Sequence, residues 1–67
     1  MRNKVAAYRQ MHGLTQQQLA QAVGVSRQTV ISIENGKYNP SLLLAFAIAG
    51  KFGCSIEELF IYEEEVK

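Results

Sequence analysis

Four times in 67 residues this chain sets a Ser or Thr just ahead of an apolar run of helical period. At Thr15 the capping residue is followed three positions later by Gln18, and Leu14 and Leu19 stand at the offsets of a hydrophobic staple. Ser26 repeats the staple with Val25 and Val30, and Ser55 repeats the box with Glu58 and the staple with Cys54 and Leu59. Ser41 follows Pro40, which cannot continue a preceding helix and so marks a fourth start. The stops agree: Gly13, Gly24, Gly36 and Gly53 each follow such a run and suit the left-handed conformation that closes a helix. Together these signals predict helices over about 3–11, 16–23, 27–35, 42–52 and 56–60, an all-α chain.

One segment resists this reading. TVISI, from Thr29 to Ile33, holds four β-branched residues and leads into Asn35-Gly36, a strong hairpin signal. A hairpin needs a second strand, but Pro40 removes a ladder donor four residues beyond Gly36. As a helix the segment sorts cleanly, with Thr29, Val30 and Ile33 on one side and Arg27, Gln28, Ile31, Ser32 and Asn35 on the other. With weak propensity, its stability must come from burying the first side.

Composition narrows the function classes. The length suits one small domain, residues 1–67, with little room for an enzyme cleft. There is no aspartate, His12 is the single histidine and Cys54 the single cysteine. No catalytic residues, metal ligands or cofactor site can be assembled from them, and an internal disulfide framework is excluded. His12 suits a helix C-terminus, where the dipole favours it. No signal-peptide or membrane-spanning pattern occurs, since the apolar run of helix four is too short to cross a bilayer. The expectation is a reducing, cytoplasmic setting. Charge is uneven: Met1 to Gly53 carries six Lys or Arg against Glu34 alone, while five glutamates oppose Lys67 from Cys54 onward. A basic body with an acidic tail permits a polyanionic partner bound through a local patch.

The residues between Thr15 and Asn35 describe a helix-turn-helix, about 16–35. Two short helices joined through Gly24-Val25-Ser26 need a small residue where they cross, and Ala20 provides it. Leu19, Val23, Val25, Val30 and Ile33 supply a shared core, leaving the other side of the second helix for the DNA major groove. From Gly13 to Pro40 (GLTQQQLAQAVGVSRQTVISIENGKYNP) the chain resembles the Cro and phage-repressor type helix-turn-helix regulators, also called XRE-like. The likeness extends through SIEELF at residues 55–60. It implies a compact five-helix bundle and sequence-specific binding of double-stranded DNA by a transcriptional regulator, expected to be a repressor.

The resemblance also assigns roles. Arg27, Gln28 and Ser32 fall where family members touch base edges, with Ile31 beside them. Arg can bridge guanine O6 and N7, Gln can bridge adenine N6 and N7, and an apolar group can meet a thymine methyl. Gln16 matches a phosphate-contacting position at a helix start, and Asn35, Lys37 and Tyr38 lie in a loop able to hold phosphate. A plain helix cap explains Asn35 equally well. Gln17 reads as ordinary surface. Arg9 and Glu34 match a structural ion pair between the first and third helices that orients the recognition helix.

Helix four is expected to bury Leu42, Leu44, Ala45, Phe46, Ile48, Ala49 and Phe52. Leu43, Ala47 and Gly50 share another face and replace residues that are usually polar in the family. Two readings of that face stand side by side: an apolar surface, or close packing on a second subunit. Short members of this family dimerise through the last helix and tail, so Leu59, Phe60 and Ile61 join Leu43 and Ala47 as interface candidates. A dimer would read a pseudo-palindromic operator with half-sites roughly 34 Å apart. Glu63 to Glu65 suit a solvated end. The competing function is an interaction module or antitoxin with the same fold and a protein, of unknown identity, as main partner.

Overall fold

A computed structural model describes residues 2–61. The order is β1 (Arg2–Asn3), α1 (Val5–Met11), α2 (Gln16–Val23), α3 (Arg27–Glu34), α4 (Leu42–Phe52), α5 (Ile56–Leu59) and β2 (Phe60–Ile61). The all-α class and its five helices agree with the punctuation of the sequence. Thr15, Ser26, Ser41 and Ser55 each accept the backbone N–H three residues on, and at Thr15 and Ser55 the reciprocal bond completes a capping box. The TVISI segment is helical. Its apolar side is sequestered, with Val30 and Ile33 each 1% exposed, which compensates for weak propensity.

Two glycines do more than end a helix. Gly24, at φ 79°, turns α2 into α3, and its N–H and that of Val25 both donate to the Ala20 carbonyl. Gly36, at φ 76°, closes α3, with its N–H on the Ile33 carbonyl and the Lys37 N–H on the Ser32 carbonyl. That pair of bonds is the Schellman arrangement, which sends the chain back across the end of α3.

The core joins every helix: Val5 from α1, Leu19 and Ala20 from α2, Val30 and Ile33 from α3, Ala45, Ile48, Ala49 and Phe52 from α4, and Leu59 from α5, with Phe60. Tyr8, Leu14, Val23, Val25, Leu44, Cys54 and Ile56 pack against it, half-buried. Phe52 carries an aromatic cluster, with the Tyr8 ring 5.8 Å and the His12 ring 5.1 Å from its own. Beside it, burial and the nearby Glu58 carboxylate raise the Cys54 thiol above its ordinary pKa. That favours the unreactive thiol form.

Three expectations change. Helix α1 begins at Val5 rather than near residue 3, because Asn3 is extended and pairs with Phe60 in an antiparallel two-strand sheet, Arg2 facing Ile61. Helix α5 ends at Leu59 for the same reason, and the Lys4 N–H donates to the Leu59 carbonyl at 2.8 Å. Leu42 and Phe46 leave the core: they are 67% and 58% exposed beside Leu43 at 83%. The eleven-residue helix meets the bundle along one stripe, through Ala45, Ile48, Ala49 and Phe52, and among the described residues the rest, half-buried Leu44 apart, stays exposed. Glu63 to Glu65 lie outside the described residues.

Candidate nucleic-acid interface

The α3 surface is arranged by what holds its C-terminal end. Arg9, in the last turn of α1, donates from Nε to Glu34 Oε2 at 2.7 Å and from Nη2 to Oε1 at 3.4 Å. Its Nη1 donates to the Leu14 carbonyl at 2.9 Å, and Gln16 Nε2 donates to Glu34 Oε1 at 3.1 Å. One carboxylate therefore ties α1, the α1–α2 turn and the start of α2 to the last residue of α3. The two side chains are only 14% and 7% exposed. Asn3 adds a fourth tie, since its Nδ2 donates to the Ile33 carbonyl at 2.8 Å while its Oδ1 accepts the Val5 N–H at 3.1 Å. Sequence reasoning missed Asn3, because a lone asparagine near a chain end carries no periodic signal.

With that end fixed, the outer side of α3 is set. Arg27, Gln28 and Asn35 are exposed, and Ile31 and Ser32 are half-buried beside them. The loop after Gly36 turns back on the same surface. The Lys37 and Tyr38 N–H groups both donate to the Ser32 carbonyl, at 3.0 and 3.2 Å, and the Lys37 side chain is exposed. Gln28, Ser32 and Tyr38 line one cleft at this surface, and Arg27 and Lys37 are exposed on the same helix and loop. Gln16 lies at the junction and gives one amide N–H to Glu34, so it reaches a phosphate only with the other. Glu34 is the sole acid between Gly13 and Pro40 and is turned inward against Arg9, and Arg27 and Lys37 are the basic residues of that stretch. Such a stretch attracts anions, and among the described residues it turns its one carboxylate away from them.

The interface candidates scatter. Leu43 and Ala47 are exposed on α4. Leu59 is 0% exposed and Phe60, in the strand paired with β1, is 8% exposed, so the side chains of both belong to this chain's own core. Ile61 is half-buried and paired with Arg2. Among the described residues no helix is long and apolar enough to cross a membrane, and no group of three or more His, Cys, Asp or Glu could hold a metal ion.

A short helix braced from behind by a second one, with a polar, carboxylate-free outer side, defines a helix-turn-helix DNA-binding fold. Comparison with known proteins gives the same class. The family model described as "Helix-turn-helix" matches residues 5–59. A protein of Methanocaldococcus jannaschii named as an HTH-type transcriptional regulator is 60% identical over 97% of this chain and 98% of its own length. The immunity repressor protein of Bacillus phage phi105 is 38% identical over 96% of this chain and 48% of its own. Among solved structures, the restriction-modification controller protein C.AhdI of Aeromonas hydrophila superposes with a TM-score of 0.78 at 32% identity, covering 85% of this chain and 86% of that one. The chain belongs to the helix-turn-helix family, in its Cro and phage-repressor (XRE) branch.

Proposed function

We propose that this chain is a transcriptional repressor that binds a pseudo-palindromic DNA operator as a homodimer, in the cytoplasm, with α3 in the major groove. DNA-binding regulation is its activity, and one observation carries the reading: α3 is fixed by the burial of Val30 and Ile33 while its outer side presents Arg27, Gln28 and Asn35 to solvent. Arg27 and Gln28 take base edges, with Ile31 and Ser32 beside them. Lys37, Asn35 and the free N–H of Gln16 take phosphates. Arg9 and Glu34 hold the reading helix at its angle and touch no nucleic acid. The repressor role is supported by the names of two relatives, the phage immunity repressor and a competence pilus inhibition repressor of Acinetobacter baylyi. The second copy docks on the exposed α4 face, where Leu42, Leu43, Phe46 and Ala47 form an apolar patch, the kind of surface that marks a protein interface.

The test is selection of bound duplexes from a random pool, followed by a salt titration on the winner. A repressor of this kind yields a two-fold symmetric consensus and an affinity that falls steeply with salt. Recovery of no consensus, with salt-insensitive retention, would replace it with the interaction-module reading.

A further inference from the structure

Tyr38, expected above as a phosphate contact, has a second role open to it in this geometry. It lines a shallow cleft of about 180 Å³ together with Ser26, Gln28, Thr29 and Ser32, at the edge of the outer surface of α3, where half-buried Thr29 marks the border with the side that buries Val30 and Ile33. No Lys or Arg lines that cleft, so a phosphate seated there would meet no cation, although charge-assisted contacts are the ones that hold phosphate well. The cleft is also smaller than the roughly 300–1,000 Å³ of a small-molecule site. What it offers is an aromatic ring, a threonine methyl and neutral donors. The Ser26 and Thr29 hydroxyls are 3.0 Å apart, and Ser26 Oγ also accepts the Thr29 N–H at 3.1 Å. These two hydroxyls are thus largely occupied with each other, which leaves the Thr29 methyl as that residue's unpartnered group. Gln28 is exposed at the rim, with an amide able to donate. Ser32, with its short side chain, leaves the space open.

In the major groove a thymine edge is distinguished by an O4 acceptor next to a C5-methyl group. On the reading that α3 lies in the groove, we propose that the cleft between α3 and Tyr38 is a specificity site for one thymine of each half-site. The methyl packs between the Tyr38 ring and the Thr29 methyl, and O4 accepts from the Gln28 amide. Cytosine brings a donor and no methyl to the same place, so it loses the methyl contact and is met only if the Gln28 amide reverses. Tyr38 is therefore a base-reading residue that acts through its ring, and its hydroxyl is dispensable.

The experiment uses the duplex that wins selection and replaces its thymines by uracil one at a time, which deletes only the C5-methyl. The wild-type chain and Tyr38→Phe should each lose about fourfold in affinity at one thymine per half-site, the worth of one buried methyl group. Tyr38→Ala should bind the thymine and uracil duplexes equally at that position while keeping its response at the Arg27-dependent base pair. The proposal is overturned if no thymine is methyl-sensitive, if Tyr38→Ala keeps the wild-type uracil penalty, or if Tyr38→Phe weakens binding to every duplex alike, which would return the hydroxyl to a phosphate. A selection without any consensus removes the DNA reading and this site together. A consensus without methyl sensitivity removes only the site.

Discussion

Helices α3 and α4 start alike and end up serving opposite purposes. Each opens on a serine whose Oγ accepts the N–H three residues on, Ser26 from Thr29 at 3.1 Å and Ser41 from Leu44 at 3.2 Å, and each stops at a glycine of positive φ. They diverge in what they leave outside. Helix α3 buries Val30 and Ile33 and turns Arg27 and Gln28 outward, whereas α4 buries Ala45, Ile48, Ala49 and Phe52 and still exposes Leu42, Leu43 and Phe46. A charged and amide-bearing surface is at home in water until an anion arrives. An apolar one is costly in water until a partner covers it. On the proposed function, the same capped helix supplies a nucleic-acid surface in one place and a protein surface in the other.

The bracing of α3 is the first half of this contrast to break, and the largest effect is expected there. Glu34→Ala strands the Arg9 guanidinium and frees the Gln16 amide. It should destabilise the fold by about 3 kcal/mol, the lower end of the loss when one member of a buried pair is removed, since this pair is part-buried, out of the roughly 5–15 kcal/mol that a domain possesses. Urea denaturation reads this directly. The double change Arg9→Met with Glu34→Leu should recover most of the stability, because the stranded charge is gone. If the single variant loses less than about 1 kcal/mol, the junction is held by its apolar contacts instead.

The α4 surface tests the second half. Leu43 is 83% exposed, so Leu43→Glu should leave monomer stability within about 0.5 kcal/mol while weakening self-association by at least about 2 kcal/mol, roughly thirtyfold. Sedimentation equilibrium measures the dissociation constant. A wild-type chain that stays monomeric at high concentration would leave the patch without a second copy. On α3, Arg27→Ala should cost about 1–3 kcal/mol at the cognate site and relax specificity at one base pair, whereas Lys37→Ala should weaken all duplexes alike and lower the salt slope by about one. Uniform loss from Arg27→Ala would move that residue to the phosphate group of contacts.

The unequal legibility of these surfaces has a physical cause. Caps and stops are local chemistry, so Thr15, Ser26, Ser41 and Ser55 could be read directly, and the inner side of α3 followed from its 100° period. The strands β1 and β2 could not be read, because two residues have no period and their pairing joins opposite ends of the chain. Leu42 and Phe46 misled for another reason. Apolar residues all round a helix say that something covers it, but whether that is this chain or a second one depends on neighbours the local pattern does not contain. At the candidate interface, side chains on α3 were legible by spacing. The return of Tyr38 onto the same surface depends on the Gly36 turn and the Ser32 carbonyl, which are matters of three dimensions.

The smallest effect separates two capping boxes that differ by one functional group. In α2 the Thr15 N–H donates to the neutral Gln18 amide oxygen at 2.8 Å; in α5 the Ser55 N–H donates to the Glu58 carboxylate, also at 2.8 Å. The backbone and hydroxyl donors of Ser55, with Lys4 nearby, hold the Glu58 carboxyl below the ordinary glutamate pKa against an opposing effect of burial. As pH falls, the unfolded chain therefore takes up this proton before the folded one does. The stabilisation is complete above the ordinary glutamate value and is lost as pH drops through the lowered one. Glu58→Gln turns the α5 box into the α2 type and should make the acid limb of the thermal midpoint shallower, with little change near neutrality. Gln18→Glu should do the reverse at α2, giving that helix an acid limb it lacks. Parallel acid limbs in Glu58→Gln and wild type would mean that the carboxylate caps α5 no better than an amide, and that this end of the molecule is held by Leu59 and the strand pair alone.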